Sequence, residues 1–294
     1  MTKAYLRLIR PAHWLKNVLV LVPVCFAGEL LGNDPMVLGA AFLAFSFTAS
    51  AVYVFNDIQD VERDRNAPPP RCNRPIASGV VSVRQAWIAF AVLVVLSLLS
   101  QVLVGSVSGG LLLLFYAVLN IAYSKGLKAV PIVDVAILAS GYVFRVLYGG
   151  LVCGITISSW LYLTILAASF YMGLGKRRGE MTQLKPGGVS SQQRAVLKFY
   201  SYAFLDKMMY LFLALANVFY ALWAREAQPG MLLTVPILWL MCMKYALDIE
   251  GDDSDGDPME VILKDRVLIV LSVVFVAAIA AGIYVGLPGG WRVV

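Results

Sequence analysis

The chain carries a single histidine, His13, and four cysteines, Cys25, Cys72, Cys153 and Cys242, which stand far apart with no metal-ligand spacing. This argues against a zinc or iron centre built on a His/Cys cluster and against a disulfide framework. It also leaves little for general-base catalysis through imidazole. Charge is scarce too: 14% of the 294 residues are Asp, Glu, Lys or Arg, against about 25% in a soluble globular domain. No polar stretch is long enough for a separate soluble domain. There is also no internal repeat of the kind on which many transporters are built.

What fills the sequence is apolar: 60% of residues are hydrophobic, and the mean hydropathy is +0.77. A helix needs about 20 apolar residues to cross a bilayer. The apolar runs and their polar breaks predict nine transmembrane helices, near Val18–Leu31, Met36–Phe55, Val83–Val104, Gly109–Tyr123, Ile132–Val152, Ser159–Leu174, Phe199–Trp223, Met231–Leu247 and Val267–Leu287. Pro11–Asn17 extends the short first run backwards, with Pro11 at a helix start. The expected fold is all-α: one integral-membrane domain over residues 1–294, a polytopic nine-helix bundle.

Of the 24 Lys and Arg residues, 21 fall at the N-terminus or in and beside the loops after helices 2, 4, 6 and 8. Arg225 and Arg292 fall on the other side, and Arg145 lies within the fifth helix. The positive-inside rule then places the N-terminus and the even-numbered loops in the cytoplasm, as in a multi-pass protein of the cell membrane. The sequence pI near 9.1 reports this topology, and no nucleic-acid partner is implied.

The unusual polar clusters all lie on that one face. Asn56-Asp57-Ile58-Gln59-Asp60-Val61-Glu62-Arg63-Asp64-Arg65 follows the second run directly. On a helix, Asp57, Asp60 and Asp64 fall at i, i+3 and i+7 and share one face. Hard oxygen ligands so placed suit Mg²⁺, which takes one or two carboxylates plus phosphate oxygens of a substrate. The other clusters are cationic: Arg10-Pro11-Ala12-His13-Trp14-Leu15-Lys16-Asn17, Tyr123-Ser124-Lys125-Gly126-Leu127-Lys128 and Lys176-Arg177-Arg178-Gly179-Glu180. Carboxylates and clustered cations at one membrane face describe a Mg²⁺–diphosphate site with extra positive charge for a phosphate.

Asn56-Asp57-x-x-Asp60-x-x-x-Asp64, placed after the second of nine helices, resembles the first aspartate motif of the UbiA superfamily of intramembrane prenyltransferases. Arg74-Pro75-Ile76-Ala77-Ser78-Gly79 resembles the stretch that follows it there, and Pro69-Pro70-Arg71 a shifted Pro-x-Lys element. The resemblance covers essentially the whole chain and implies a bundle around a central cavity open to the cytoplasm, with Asp57, Asp60 and Asp64 carrying Mg²⁺ on a diphosphate. Where the superfamily has a second aspartate motif, in the loop after helix 6, this chain has the basic Lys176-Arg177-Arg178.

That departure, with Arg10-Pro-x-x-Trp14-x-Lys16-Asn17, resembles the decaprenyl-phosphate phosphoribosyltransferase branch. The resemblance implies phosphoribosyl diphosphate as donor and a long-chain polyprenyl phosphate as acceptor. Lys16, Asn17, Asn56, Arg74, Tyr123, Lys125, Lys128, Arg145, Lys176, Arg177, Arg178 and Glu180 then form the substrate-binding pool. A helix end sends only some of Lys176, Arg177 and Arg178 inward. The nearest alternative is a prenyltransferase moving a prenyl group from its diphosphate to an aromatic or other small acceptor. Oligomeric state is not fixed by the sequence, which leaves a homo-oligomer open.

Asp134 and Arg145 are intramembrane charges, which usually face a protein interior. Eleven residues, roughly 16 Å along a helix, separate them, too far to pair directly. Arg145 therefore needs another partner, a phosphate or a neighbouring acid. Asp252, Asp253, Asp255, Asp257 and Glu260 read as a solvated acidic loop. They do not make a calcium loop, because Gly256 at position six puts Gly251 first and Ile262 last.

Overall fold

The computed structural model describes residues 2–67, 69, 71–182, 195–228, 230–250, 261 and 264–285. The acidic stretch 252–260 and the backbone at Pro70 lie outside them. All regular structure among the described residues is helical. Eight helices are long and apolar enough to cross a membrane: α1 (Lys3–Phe26), α2 (Pro35–Gln59), α3 (Val83–Val104), α4 (Val107–Lys125), α5 (Val133–Cys153), α7 (Tyr202–Ala227), α8 (Met231–Ile249) and α9 (Arg266–Val285). Between α5 and α7 lies α6 (Ser159–Thr182), of comparable length but less apolar. The nine expected spans thus stand, among the described residues, as eight clear spans and this more polar helix.

Helix ends follow local chemistry. Asp34 caps α2 on Met36 N with Pro35 next, Ser82 and Gln85 form a capping box on α3, and Ser201 caps α7 on Phe204 N. Gly105 and Gly154 close α3 and α5 in the left-handed region, which glycine enters without a Cβ penalty. Helix α1 is the irregular one. It starts as an α-helix to Ile9, breaks at Arg10, runs as a 3₁₀ segment from Pro11 to Leu21, and ends as an α-helix from Val22 to Phe26. The residue before a proline is disfavoured in the right-handed helical region, which places the break at Arg10.

Two expected boundaries move. The first span starts at Lys3, about four helical turns ahead of Val18, and α6 continues past Leu174 to Thr182. Lys176–Glu180 therefore occupy the last turns of a helix and are not a loop. Arg177, bonded to Glu180 within that helix and to Asp134 of α5, holds those turns in place.

Packing relies on small residues, as membrane helices require in the absence of a hydrophobic drive between them. Ala40, Ala41, Ala44, Ala49 and Ala51 of α2 are all buried. Against that face, Ser97 of α3 bonds the Ala44 carbonyl, with its oxygen 2.6 Å from that of Thr48. Helix α1 crosses α5 at Gly149, where a Cβ would fall inside the Val20 carbonyl. This close approach seats the 3₁₀ segment, and with it Lys16 and Asn17, against α5.

Candidate active site

A cavity of about 260 Å³ opens between α1, α2, α4, α5 and α6. Three helices line it with stripes at helical spacing: Val52, Tyr53, Asn56 and Asp57 from α2 with its C-cap Asp60, Tyr116, Asn120, Tyr123 and Ser124 from α4, and Ile137, Leu138, Gly141, Tyr142 and Arg145 from α5. Eight residues separate the ends of the α2 and α5 stripes, so the cavity runs roughly 12 Å along the helices. Asp60 marks one end and Arg145 the other.

At the first end the aspartates do not form one face of one helix. Helix α2 stops at Gln59, Asp60 leaves helical geometry at ψ 7°, and a short helix restarts over Val61–Arg65. Asp60 accordingly turns to Lys128 Nζ at 3.0 Å and Arg63 Nη2 at 3.3 Å. Asp57 and Asp64, both buried, come together instead through Arg74, whose Nη1 donates to Asp57 Oδ1 at 3.2 Å and Asp64 Oδ2 at 2.7 Å. Arg10 Nη2 donates to both Asp57 oxygens, at 2.6 and 2.9 Å.

Among the described residues no three Asp, Glu, His or Cys groups converge on one point. A pair does fit a divalent cation, because Mg²⁺ accepts one or two carboxylates completed by phosphate oxygens. Asp64 Oδ1 is buried with no hydrogen-bond partner. A buried carboxylate oxygen left without a donor is costly, and a cation is what would satisfy it.

The Arg145 end is electrostatically the reverse. Arg145 is buried, yet no carboxylate lies within ion-pair distance of it among the described residues. Its Nε donates to Asn17 Oδ1 at 2.7 Å, its Nη1 to the Gly141 carbonyl at 2.5 Å, and its guanidinium lies 5.0, 5.8 and 5.9 Å from the rings of Phe45, Tyr116 and Tyr142. Asn17 is held in turn by Ser46. It does not face the cavity, and its place is behind Arg145. A buried cation balanced only by neutral dipoles and aromatic faces is a site at which an anion would be stabilised.

The basic run on α6 divides three ways. Lys176 lines the cavity. Arg177, fully buried, donates to Asp134 at 2.6 Å, Glu180 at 2.6 Å and Tyr123 at 2.9 Å. Asp134 also accepts from Tyr200 Oη at 2.5 Å. Burial, followed by that bond to Asp134, pushes Tyr200 up to about 12, so it remains a donor throughout the neutral range. Arg178 points away, to Asp206 at 2.6 Å and the Ile249 carbonyl.

The cavity therefore gathers Lys16, Asn56, Asp57, Asp60, Arg74, Tyr123, Lys128, Arg145 and Lys176 from the residues expected on sequence grounds. Asn56 is tied to Ser124. Asp64 sits behind Arg74, and Arg177 and Glu180 sit behind Tyr123. Lys125 is exposed at the end of α4, and Arg178 faces another groove. Arg10, Arg63, Tyr53, Asn120 and Tyr142 line the cavity without having been expected there. The α4 stripe was readable, since Asn120 is a polar residue spaced i+4 and i−4 from Tyr116 and Ser124.

Two apolar grooves adjoin this polar space, each about 190 Å³. One, between α2, α3 and α4, shares Val52 with the cavity. The other, between α6, α7, α8 and α9, shares Met172.

The sequence matches the UbiA prenyltransferase family over residues 18–175. It is 34% identical over 293 residues to the decaprenyl-phosphate phosphoribosyltransferase of Mycobacterium tuberculosis (strain ATCC 25618 / H37Rv), covering 95% of this chain and 93% of that protein. It is 33% identical over 291 residues to the protein of the same description from Corynebacterium glutamicum, covering 95% and 86%. In fold it is similar to a UbiA homolog from Archaeoglobus fulgidus bound to GPP and Mg²⁺, with a TM-score of 0.73 at 20% identity over 96% of this chain and 99% of that one.

Proposed function

The chain belongs to the UbiA prenyltransferase family, and we propose that it transfers 5-phosphoribosyl from phosphoribosyl diphosphate to a long-chain polyprenyl (decaprenyl) phosphate, releasing diphosphate in a Mg²⁺-dependent reaction. It is a transferase, multi-pass in the membrane, and a polyprenyl phosphate is the lipid partner its relatives' descriptions support. The carrying observation is the charge of the cavity. Arg10, Lys16, Arg63, Arg74, Lys128, Arg145 and Lys176 line it, against the two carboxylates of Asp57 and Asp60. Such an excess suits a donor with phosphates at both ends and an acceptor that is itself a phosphate.

In this reaction an oxygen of the lipid phosphate forms a bond to ribose C1 as the C1–diphosphate bond breaks, and the electron pair leaves with the diphosphate. The nucleophile is already an anion, so no strong base is needed, in keeping with a cavity without histidine. Asp57 and Asp64, with Asp60, would hold Mg²⁺, which neutralises the leaving diphosphate as a Lewis acid. Arg74 and Lys128 stand beside them for diphosphate oxygens. Lys16, Lys176 and Arg145 line the remainder of the cavity, where the second phosphate is bound. The adjoining apolar grooves offer the prenyl chain a surface continuous with the site. The same reading sets the Asp60 end at the cytoplasmic face of the cell membrane.

The rival reading, prenyl transfer from a prenyl diphosphate, keeps the aspartates. It draws support from the fold likeness to the homolog bound to GPP, which concerns the fold alone. The two readings separate in a melting experiment in detergent. Phosphoribosyl diphosphate at about 100 times its Kd should add about 2.7 kcal/mol of stability, and only with Mg²⁺. Stabilisation by a prenyl diphosphate with Mg²⁺, and none by phosphoribosyl diphosphate, would favour the rival.

The α6 cations give a second test. Lys176→Gln should weaken one substrate by about 10- to 150-fold, corresponding to about 1.5–3 kcal/mol for a hydrogen bond to a charged group. Arg178→Gln should leave both apparent affinities unchanged, because Arg178 serves Asp206. Steady-state kinetics varying donor and lipid separately measures this, and equal effects of the two changes would contradict the assignment.

A further inference from the structure

Arg10 has two features that the reaction scheme leaves unused. Its backbone is left-handed, at φ 57° and ψ 58°, in a non-glycine residue directly before a proline. That conformation persists only where the surroundings impose it, and residues so held concentrate at functional sites. Here the side chain is anchored on α2. The guanidinium lies over the Tyr53 ring at 5.1 Å and donates to both oxygens of Asp57.

Asp57 is thus fully engaged by cations, with Arg10 on both oxygens and Arg74 on one. A divalent metal arriving alone would have to displace a guanidinium nitrogen shared by both carboxylate oxygens and enter a wall that already carries Arg10, Arg63, Arg74 and Lys128. A diphosphate removes both obstacles, because it brings negative charge and offers the Arg10 guanidinium phosphate oxygens to donate to. Arg10 lines the same cavity that would receive the diphosphate.

Building on the reading that Asp57 and Asp64 hold the metal, we propose that Arg10 is the resident counterion of Asp57, a positioning residue that yields the carboxylate to metal only when a diphosphate takes its guanidinium. Arg10 thereby couples the two binding events. Metal without diphosphate meets an occupied carboxylate, and diphosphate without metal finds Arg10 already committed.

The test is a Mn²⁺ titration of the full chain in detergent, followed by electron paramagnetic resonance, with and without inorganic diphosphate. Wild type should bind Mn²⁺ weakly alone and at least about tenfold more tightly with diphosphate, the scale of one charged hydrogen bond. Arg10→Gln should bind Mn²⁺ alone roughly tenfold more tightly than wild type and lose most of the diphosphate stimulation. Arg10→Lys, which keeps the charge but not the guanidinium stacked over Tyr53, should fall between. A folded Arg10→Gln, judged by its melting curve, with wild-type Mn²⁺ affinity in both conditions would overturn the proposal and leave Arg10 a purely structural tie. If Arg10→Gln does not fold, Arg10→Lys decides on the same two quantities: wild-type values refute, intermediate values support. Retention of the diphosphate-dependent Mn²⁺ binding in Asp57→Asn would sink the metal assignment itself, and this proposal with it.

Discussion

Asp57→Ala and Asp64→Ala should each lower turnover by about a thousandfold, the equivalent of about 4 kcal/mol of lost transition-state stabilisation from a Lewis acid. The fold should survive both changes. Asp57 and Asp64 are buried, but the guanidiniums they hold, Arg10 and Arg74, are part-exposed and reach water when released. Asp60→Ala should cost distinctly less, because Asp60 is held apart by Lys128 and Arg63 and does not share Arg74 with the other two. Initial rates in detergent at saturating Mg²⁺, with melting curves as the control, settle the order. Equal losses for all three would mean that the break at Asp60 closes in the working enzyme. Full activity in Asp64→Ala would remove the metal role from its unsatisfied oxygen.

The second large effect is on stability. Asp134 and Arg177 are wholly buried, and breaking such a pair by removing one partner costs about 3–5 kcal/mol because the remaining charge is uncompensated. Asp134→Leu should show this loss in chemical denaturation from detergent, with Tyr200 losing its acceptor at the same time. Replacing both partners, as Asp134→Leu with Arg177→Met, should recover most of the stability, since apolar side chains of similar volume substitute for a buried pair at little cost. Turnover should stay low in the double variant, because Tyr123 loses the donor that fixes it at the cavity wall. Recovery of activity along with stability would show that Arg177 serves packing alone.

How far the sequence carried depends on which kind of signal each element leaves. Long apolar runs are unambiguous, and seven of the eight clear spans lie close to their expected bounds. The tail of α6 was missed because hydropathy reads Lys176-Arg177-Arg178-Gly179-Glu180 as an interruption. A helix can continue through such charges when they are paired across to another helix, and that pairing is invisible along the chain. The same blindness applies to Arg177, whose nearest acid in sequence, Glu180, is only part of its environment.

The distance argument on Asp134 and Arg145 did hold. Asp134 went to Arg177, and Arg145 was left with Asn17. Periodicity placed the three aspartates on one face by assuming an unbroken helix, and the break at Asp60 is a backbone event that no spacing reveals. Arg10 was the least legible. Its cluster stands out in the sequence, but its partner does not: it lies 47 positions from Asp57 and reaches it through a left-handed residue that no spacing reveals.

The central claim is the identity of the transferred group. Purified protein, Mg²⁺, phosphoribosyl diphosphate labelled in the ribose, and a short-chain polyprenyl phosphate should yield a labelled organic-phase lipid with stoichiometric release of diphosphate, and neither product should appear in excess chelator. No labelled lipid under these conditions, together with transfer of a labelled prenyl group from a prenyl diphosphate to a small acceptor by the same preparation, would contradict it.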